Sequence, residues 1–294
     1  MKYATIDRLR AEYPVSVLCR VLGVSQRSYG RHQRHQEAVP QASQRISNEA
    51  LLVHIRSIHA ASRQCYGAPR IWAQLRAQGV RVGKERVRRL MQRHGIVGRT
   101  KRRYKATTNS NHGLPVAPNL LARHFSPEQP NQAWAGDITC VATGENWLYL
   151  ATVIDLYSRR IIGWSMGERM TRHLVMDAMD MAIGARRPAK DSGLIFHSDR
   201  GSQYCSADFQ HLLQNSGIRS SMSRKGDCWD NACSETLFAS LKKERLRQTC
   251  FATRRQAKDE IIGWLTWYNS QRLHSSLGYV SPMEYERRCM AAHV

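Results

Sequence analysis

The chain has 294 residues, 45 Lys+Arg against 23 Asp+Glu, a formal net charge of +22 and 42% hydrophobic residues. That length suggests roughly two domains with real cores, and the charge favours a polyanionic partner. The composition argues against a membrane protein: no apolar run reaches the roughly 18 residues of a spanning helix, and the opening MKYATIDRLRAEY has no apolar signal core, so a cytoplasmic setting is expected.

The charge is uneven. Residues 1–110 hold 23 Lys+Arg and 5 Asp+Glu, whereas 111–294 hold 22 and 18. The first part is a polycation. By composition alone a generally sticky, ribosomal-type protein fits as well as a DNA-binding one. Eight cysteines occur without a CxxC pair. Reduced thiols are expected in the cytosol. Cys228 and Cys233 are the nearest pair, but no second pair with zinc-ligand spacing follows.

In chain order, residues 1–40 hold a helix over Val15–Leu22, a break at Gly23, and a second, basic helix that Ser25 can cap. Helix, Gly turn and basic helix form a helix-turn-helix pattern. Residues 45–105 repeat it with three helices. Leu51, Leu52, Ile55 and Ile58 share one face of the first. Pro69 opens the second, where its missing N–H costs little; that helix carries Ile71, Trp72 and Leu75. The third, Lys84–His94, turns Val87, Leu90 and Met91 inward and Arg86, Arg88, Arg89 and Arg93 outward. Each arginine alone is an ordinary solvated cation. With Lys101, Arg102 and Arg103 following, the set points to phosphate and groove contacts on double-stranded DNA. Residues 106–130, polar with four prolines, predict a linker.

Residues 131–250 change character. AWAGDITCVA, NWLYLATVIDL and RRIIGWSMGER predict three strands joined by hairpins. A helix over Leu174–Ile183, a short buried strand LIFHSD, a helix over Ala207–Gln214, a strand over Ile218–Met222 and a helix over 230–247 follow. The order β-β-β-α-β-α-β-α predicts an α/β, ribonuclease-H-like core with a mixed five-stranded sheet, preceded by all-α helix-turn-helix modules. Residues 251–294 predict a C-terminal helical extension, with a helix over Thr253–Asn269.

Within that core, Asp137 interrupts an apolar strand, Asp199 ends a buried one, and Glu235 lies one turn into a helix. Buried carboxylates need a partner or a metal. Three acids from separate elements that converge at one sheet end repel one another unless cations fill the site, and hard cations such as Mg2+, or Mn2+, take carboxylate oxygens. Two such ions roughly 3.5–4 Å apart can activate a nucleophile and stabilise a leaving oxyanion at a phosphodiester. Asp137 is assigned the bridging role, with Asp199 and Glu235 completing one ion each. Each acid alone has an ordinary alternative: a salt bridge for Asp137, a turn for Asp199, a helix surface for Glu235. Asp155 is the chief rival, and Asp230 is expected to cap the Glu235 helix.

These residues resemble a known family. NQAWAGDIT, NWLYLATVIDLYSRRIIGWSM, HSDRGSQY, SMSRKGDCWDNACSETLFASLKKE and WYNSQRLHSSLGYVSPMEYE look like the OrfB-type transposases of family-three bacterial insertion sequences, with their retroviral-integrase-like core. SRQCYGAPRIWAQLRAQGVRVGKERVRRLMQRHGIVGR looks like their second N-terminal module. The resemblance runs from about residue 14 to 288 and includes 35 residues between Asp199 and Glu235. It implies that Asp137, Asp199 and Glu235 are the catalytic, metal-holding triad and that Asp155 is not. It also implies nicking of element ends and transfer of the 3′-hydroxyl to target DNA, and synapsis of terminal inverted repeats by a homo-multimer on the bacterial nucleoid. Fusion by frameshift to an upstream-frame DNA-binding product is a further implication.

Lys242 returns to nearly the Glu235 face, about 10.5 Å along the helix, and is expected to touch a DNA phosphate. His197 is expected to be a packed strand residue, and Trp229, Trp264 and Trp267 core residues. Arg272 and His274 match a family motif without a mechanism. A DNA-binding regulator lacking catalysis and a general ribonuclease-H-like nuclease are the competing readings. The intact acid triad opposes the first, and the basic N-terminal modules oppose the second.

Overall fold

The computed structural model describes residues 2–37, 46–99, 114–224, 231–247 and 249–291. The expected Lys101, Arg102 and Arg103 contacts, Trp229, and the capping role of Asp230 lie outside the described residues.

Three helices open the chain: α1 (Lys2–Leu9), α2 (Val15–Val21) and α3 (Gln26–Glu37). Ile6, Leu18, Cys19 and Tyr29 form their small core. Helix α1 was not expected from sequence; it buries the single residue Ile6, so it shows almost no apolar period. Tyr29 secures it by donating to Asp7 Oδ1 at 2.7 Å. Gly23 makes the α2–α3 turn with φ +61°, a conformation that suits glycine. The Ser25 hydroxyl accepts from Ser28 N at 3.1 Å, the cap anticipated there.

The second module follows its pattern closely. Helices α4 (Asn48–Ala61), α5 (Ala68–Ala77) and α6 (Lys84–Arg93) bury Leu51, Ile55, Ile58, Ile71, Leu75, Val87, Leu90 and Met91 together. Ser47 caps α4 by accepting from Ala50 N, and Pro69 sits in the first turn of α5. Burying each such aliphatic chain contributes about 1.5–3 kcal/mol.

The sheet contains β1 (Ala133–Thr143), β2 (Asn146–Asp155), β3 (Ile161–Gly167), β4 (Ile195–Ser198) and β5 (Arg219–Met222), in the order β3-β2-β1-β4-β5. β1 pairs β2, and β2 pairs β3, antiparallel. β1–β4 and β4–β5 are parallel. This is the mixed five-stranded, ribonuclease-H-like arrangement expected. Helices α7 (Arg172–Arg186) and α8 (Ala207–Asn215) cover one face with Trp134, Val153 and Phe196. Helices α9 (Ala232–Leu241) and α10 (Arg254–Ser270) cover the other with Ala133, Ala135, Leu148 and Leu150. Side chains alternate along a strand, so Ala133, Ala135 and Asp137 all face the α9 layer.

Four expectations need adjustment. The described part of the 106–130 linker is bound to the core: Leu121 is buried in it, and Leu120 N and Leu121 N donate to Ser221 Oγ. The helix expected over 230–247 is α-helical over Ala232–Leu241 and continues as a π-helical turn, Lys242–Leu246, in which Glu244, Arg245 and Leu246 are all buried. Its N-cap is Asn231. The 251–294 extension is integral: Ile261, Trp264 and Leu265 share the core of the sheet. A further helix, α11 (Pro282–Ala291), follows a short 3-10 turn at Ser275–Leu277. Among the described residues no helix is long and apolar enough to cross a membrane.

Candidate active site

Asp137 lies on β1 and Asp199 just beyond β4. Parallel pairing puts Ala135 opposite His197, and each aspartate follows two residues later. Both therefore stand at the carboxyl side of adjacent parallel strands, the place where α/β sheets present ligands. Gly136 permits this tight packing, because a Cβ there would strike the Phe196 ring. Glu235 enters from α9, whose Leu237 and Phe238 anchor it on the same sheet face.

All three carboxylates are half-buried. Burial pushes the Asp137 carboxyl well above the usual carboxylate range, and repulsion first from Asp199 and then from Glu235 adds to it. The Ile138 N–H, bonded to Asp137 Oδ1 at 2.8 Å, and the Lys242 ammonium act in the opposite sense. Burial raises Glu235 as well; Asp199 accepts from Gly201 N at 2.9 Å. Two like charges beside a half-buried third disfavour full ionisation. A hard divalent cation would relieve that repulsion, and the donor set of carboxylate oxygens suits one. Among the described residues no three His, Cys, Asp or Glu side chains stand close enough together to hold an ion, so the carboxylates are neighbours by charge and register rather than a closed ligand cage. Residues 225–230, which lead into α9, lie outside the description.

Lys242 is half-buried at the end of α9. Burial lowers its pKa, while Cys140 and Asp137 pull it upward. Sequence reasoning missed Tyr204 as a site neighbour. It is buried, and burial, then Asp137 and Asp199, push its phenol upward. Only its place in HSDRGSQY hinted at this.

The rival acid has a different role. Asp155 is fully buried. It accepts from Asn131 N and Tyr157 N at 3.0 Å each, with Arg186 at 3.6 Å. Arg186 also pairs with Glu286, which further binds Ser158 Oγ and Arg160 Nη1, both at 2.7 Å. This network fastens α11 to the sheet edge. His197 is buried, with Nδ1 2.9 Å from Ser221 Oγ, a packed strand residue as expected. Trp264 is core; Trp267 is half-buried, with Arg245 over its ring at 5.0 Å.

On α6 the four arginines divide. Arg86 is half-buried and donates to Ile46 O at 2.6 Å and Asn48 Oδ1 at 2.8 Å. Arg88 and Arg89 are exposed and share Glu85, whose carboxyl their hydrogen bonds hold down at about 2. Arg93 is exposed in the last turn.

Comparison with known proteins matches this layout. Residues 127–228 fit an integrase core domain model, residues 216–282 a second integrase core model, and residues 47–104 a helix-turn-helix-like domain. The chain is 43% identical over 272 residues to an uncharacterized 31 kDa protein of insertion element IS600 from Shigella sonnei, covering 92% of this chain and 98% of that protein. It is 40% identical over 293 residues to transposase InsF for insertion sequence IS3A of Escherichia coli, covering 99% of this chain and 100% of that protein. Among solved structures, the HTLV-2 integrase catalytic core in complex with magnesium aligns with 18% identity and a TM-score of 0.43, covering 54% of this chain and 98% of that one.

Proposed function

Because the chain belongs to the family of insertion-sequence transposases that includes InsF of IS3, we propose that Asp137, Asp199 and Glu235 hold the divalent cations with which it cuts and joins DNA. The protein is a transposase that acts on DNA in transposition and integration. The observation that supports the residue assignment is the parallel β1–β4 register, which sets Asp137 and Asp199 each two residues beyond the Ala135–His197 pair, with Glu235 on the helix that packs against the same sheet face.

When bound there, two Mg2+ or Mn2+ ions would activate water or a DNA 3′-hydroxyl and stabilise the departing oxyanion. The chain supplies the rest. The Ile138 N–H holds the Asp137 carboxylate through its Oδ1. Gly201 N orients Asp199. Lys242 stands on the Glu235 face of α9 to draw a DNA phosphate toward Asp137. Arg88, Arg89 and Arg93 present charge from the helix-turn-helix domain to double-stranded element ends, and target DNA enters the same centre. Joining requires two ends together, so the active form is a homo-multimer of the chain. Its setting is the bacterial cytoplasm at the nucleoid, with an upstream-frame fusion product as a further partner.

The domains we assign are 1–40 and 45–105 for DNA binding, 131–250 for chemistry, and 251–294 as a buttress of that core. With magnesium, element-end duplexes should be nicked and joined while random duplexes are spared. Equal cutting of both would replace the transposase reading with that of a plain nuclease.

A further inference from the structure

Helix α9 has two polar sides. Glu235 and Lys242 share one. Thr236, Ser240 and, in the following turn, Lys243 line the other, where a cavity of about 510 Å³ opens between the helix-turn-helix domain and the core. Its cations come from four distant stretches of chain: Arg70 from α5, Arg159 from the β2–β3 turn, Lys243 from the π-helical turn, and Arg272 from the segment after α10.

The acid in this lining is Glu244, and it is already matched. Arg272 Nη2 and Nε donate to its oxygens at 2.8–3.1 Å, and Trp264 Nε1 adds a bond at 3.0 Å. His274 brings no charge: burial, then Arg272, holds its pKa down at about 2. Arg70 reaches Glu244 Oε1 only at 4.0 Å. Arg159 donates to neutral groups, Cys233 Sγ at 2.5 Å and Phe125 O at 2.9 Å. Arg70, Arg159 and Lys243 therefore bring more positive charge into a recessed site than its acid neutralises. Burial lowers the pKa of both Arg70 and Lys243, and Arg272 repels both, so an anion in the cavity would relieve an existing cost.

We propose that this cavity is a phosphate-binding site in which a backbone phosphodiester of bound DNA meets Arg70, Arg159 and Lys243. Guanidinium groups offer paired donors to phosphate oxygens. The exposed hydroxyls of Ser275 and Ser276 stand at the same cavity, which is larger than one phosphate and admits the adjoining sugar. Because Arg70 belongs to the DNA-binding module and Lys243 to the continuation of α9, one phosphate would tie DNA capture to the placement of Glu235. The source of the phosphate, though not the site itself, rests on the transposase reading.

Two arms test this. In the first, thermal unfolding is followed in sodium phosphate and in sodium chloride at matched ionic strength. Phosphate should raise the Tm of the full chain and of Arg255→Gln, a variant of an exposed α10 arginine, and should not raise that of Lys243→Gln. In the second, DNA affinity is measured against salt. Lys243→Gln should flatten the logarithmic slope by about one phosphate contact. Arg70→Gln replaces it if Lys243→Gln does not fold. A lost phosphate response with an unchanged slope keeps the site but overturns its DNA source in favour of free phosphate. An identical phosphate response in Lys243→Gln and the unmodified chain overturns the site. Failure to bind DNA at all would strike the transposase reading and leave the phosphate arm standing.

Discussion

Asp137 on β1 and Asp199 just beyond β4 each lie two residues past the Ala135–His197 pair that joins these parallel strands. That register carries both aspartates to the same end of the β1–β4 pair, although 61 residues lie between them in the chain. Gly136, between Ala135 and Asp137, lets the strand lie against Phe196. Gly136→Ala should therefore cost about 1–3 kcal/mol through overpacking, read from urea unfolding, and should also slow DNA cleavage. Gly184→Ala is the control: no atom lies within 4 Å of its added Cβ, and in α7 it should gain up to about 1 kcal/mol. Equal effects of the two would refute the packing argument.

The network around Glu286 predicts a stability defect remote from the chemistry. Burial alone would raise this carboxyl, but hydrogen bonds from Arg186, Ser158 and Arg160 outweigh it and lower the pKa. Glu286→Ala leaves Arg186 buried without that partner, which should cost about 3–5 kcal/mol. Arg287→Ala, an exposed partner of Glu284, should change stability by less than about 1 kcal/mol. Denaturant midpoints distinguish the two. Because the folded-state pKa of Glu286 is depressed, its contribution is complete above the unfolded carboxylate pKa and is lost as pH falls through the folded one.

His274 predicts acid sensitivity in a different window. Its folded pKa lies at about 2, below the ordinary histidine value. As pH falls below about 6.5 the unfolded chain takes up this proton and the folded chain does not, so stability drops down to the folded pKa. His274→Gln should reduce the loss in Tm between about pH 7 and about pH 5. An unchanged pH profile would show that the imidazole is protonated in the fold.

The exposed arginines of α6 should act through phosphate charge. Arg93→Gln should weaken binding to specific and random DNA alike and flatten the salt slope by about one. Loss confined to element-end sequence would make Arg93 a base-reading residue instead.

Much of this architecture is legible in the sequence because periodicity is local. Leu51, Ile55 and Ile58, and the alternating strand around Asp137, announce their elements within a few residues. The acids were visible as charges in apolar settings. Helix α1 was not, since it buries only Ile6. Nor was α11, whose anchor is the buried acid Glu286 rather than an apolar face. The charge partners of Asp155 and Arg272 lie 31 and 28 residues away, Arg186 for Asp155 and Glu244 for Arg272, and no window of sequence shows such a pairing. The resemblance to insertion-sequence transposases ranked Asp155 below Asp137, and the buried network around Asp155 supplies a physical reason.

The central claim is that Asp137 serves a metal-dependent cut-and-join reaction. The direct measurement is the yield of nicked and joined element ends with magnesium for Asp137→Asn, beside DNA affinity measured on the same preparation. The account predicts unchanged affinity and a loss of reaction of about a thousandfold, equivalent to about 4 kcal/mol of transition-state stabilisation. A variant that binds, nicks and joins like the unmodified protein would contradict it.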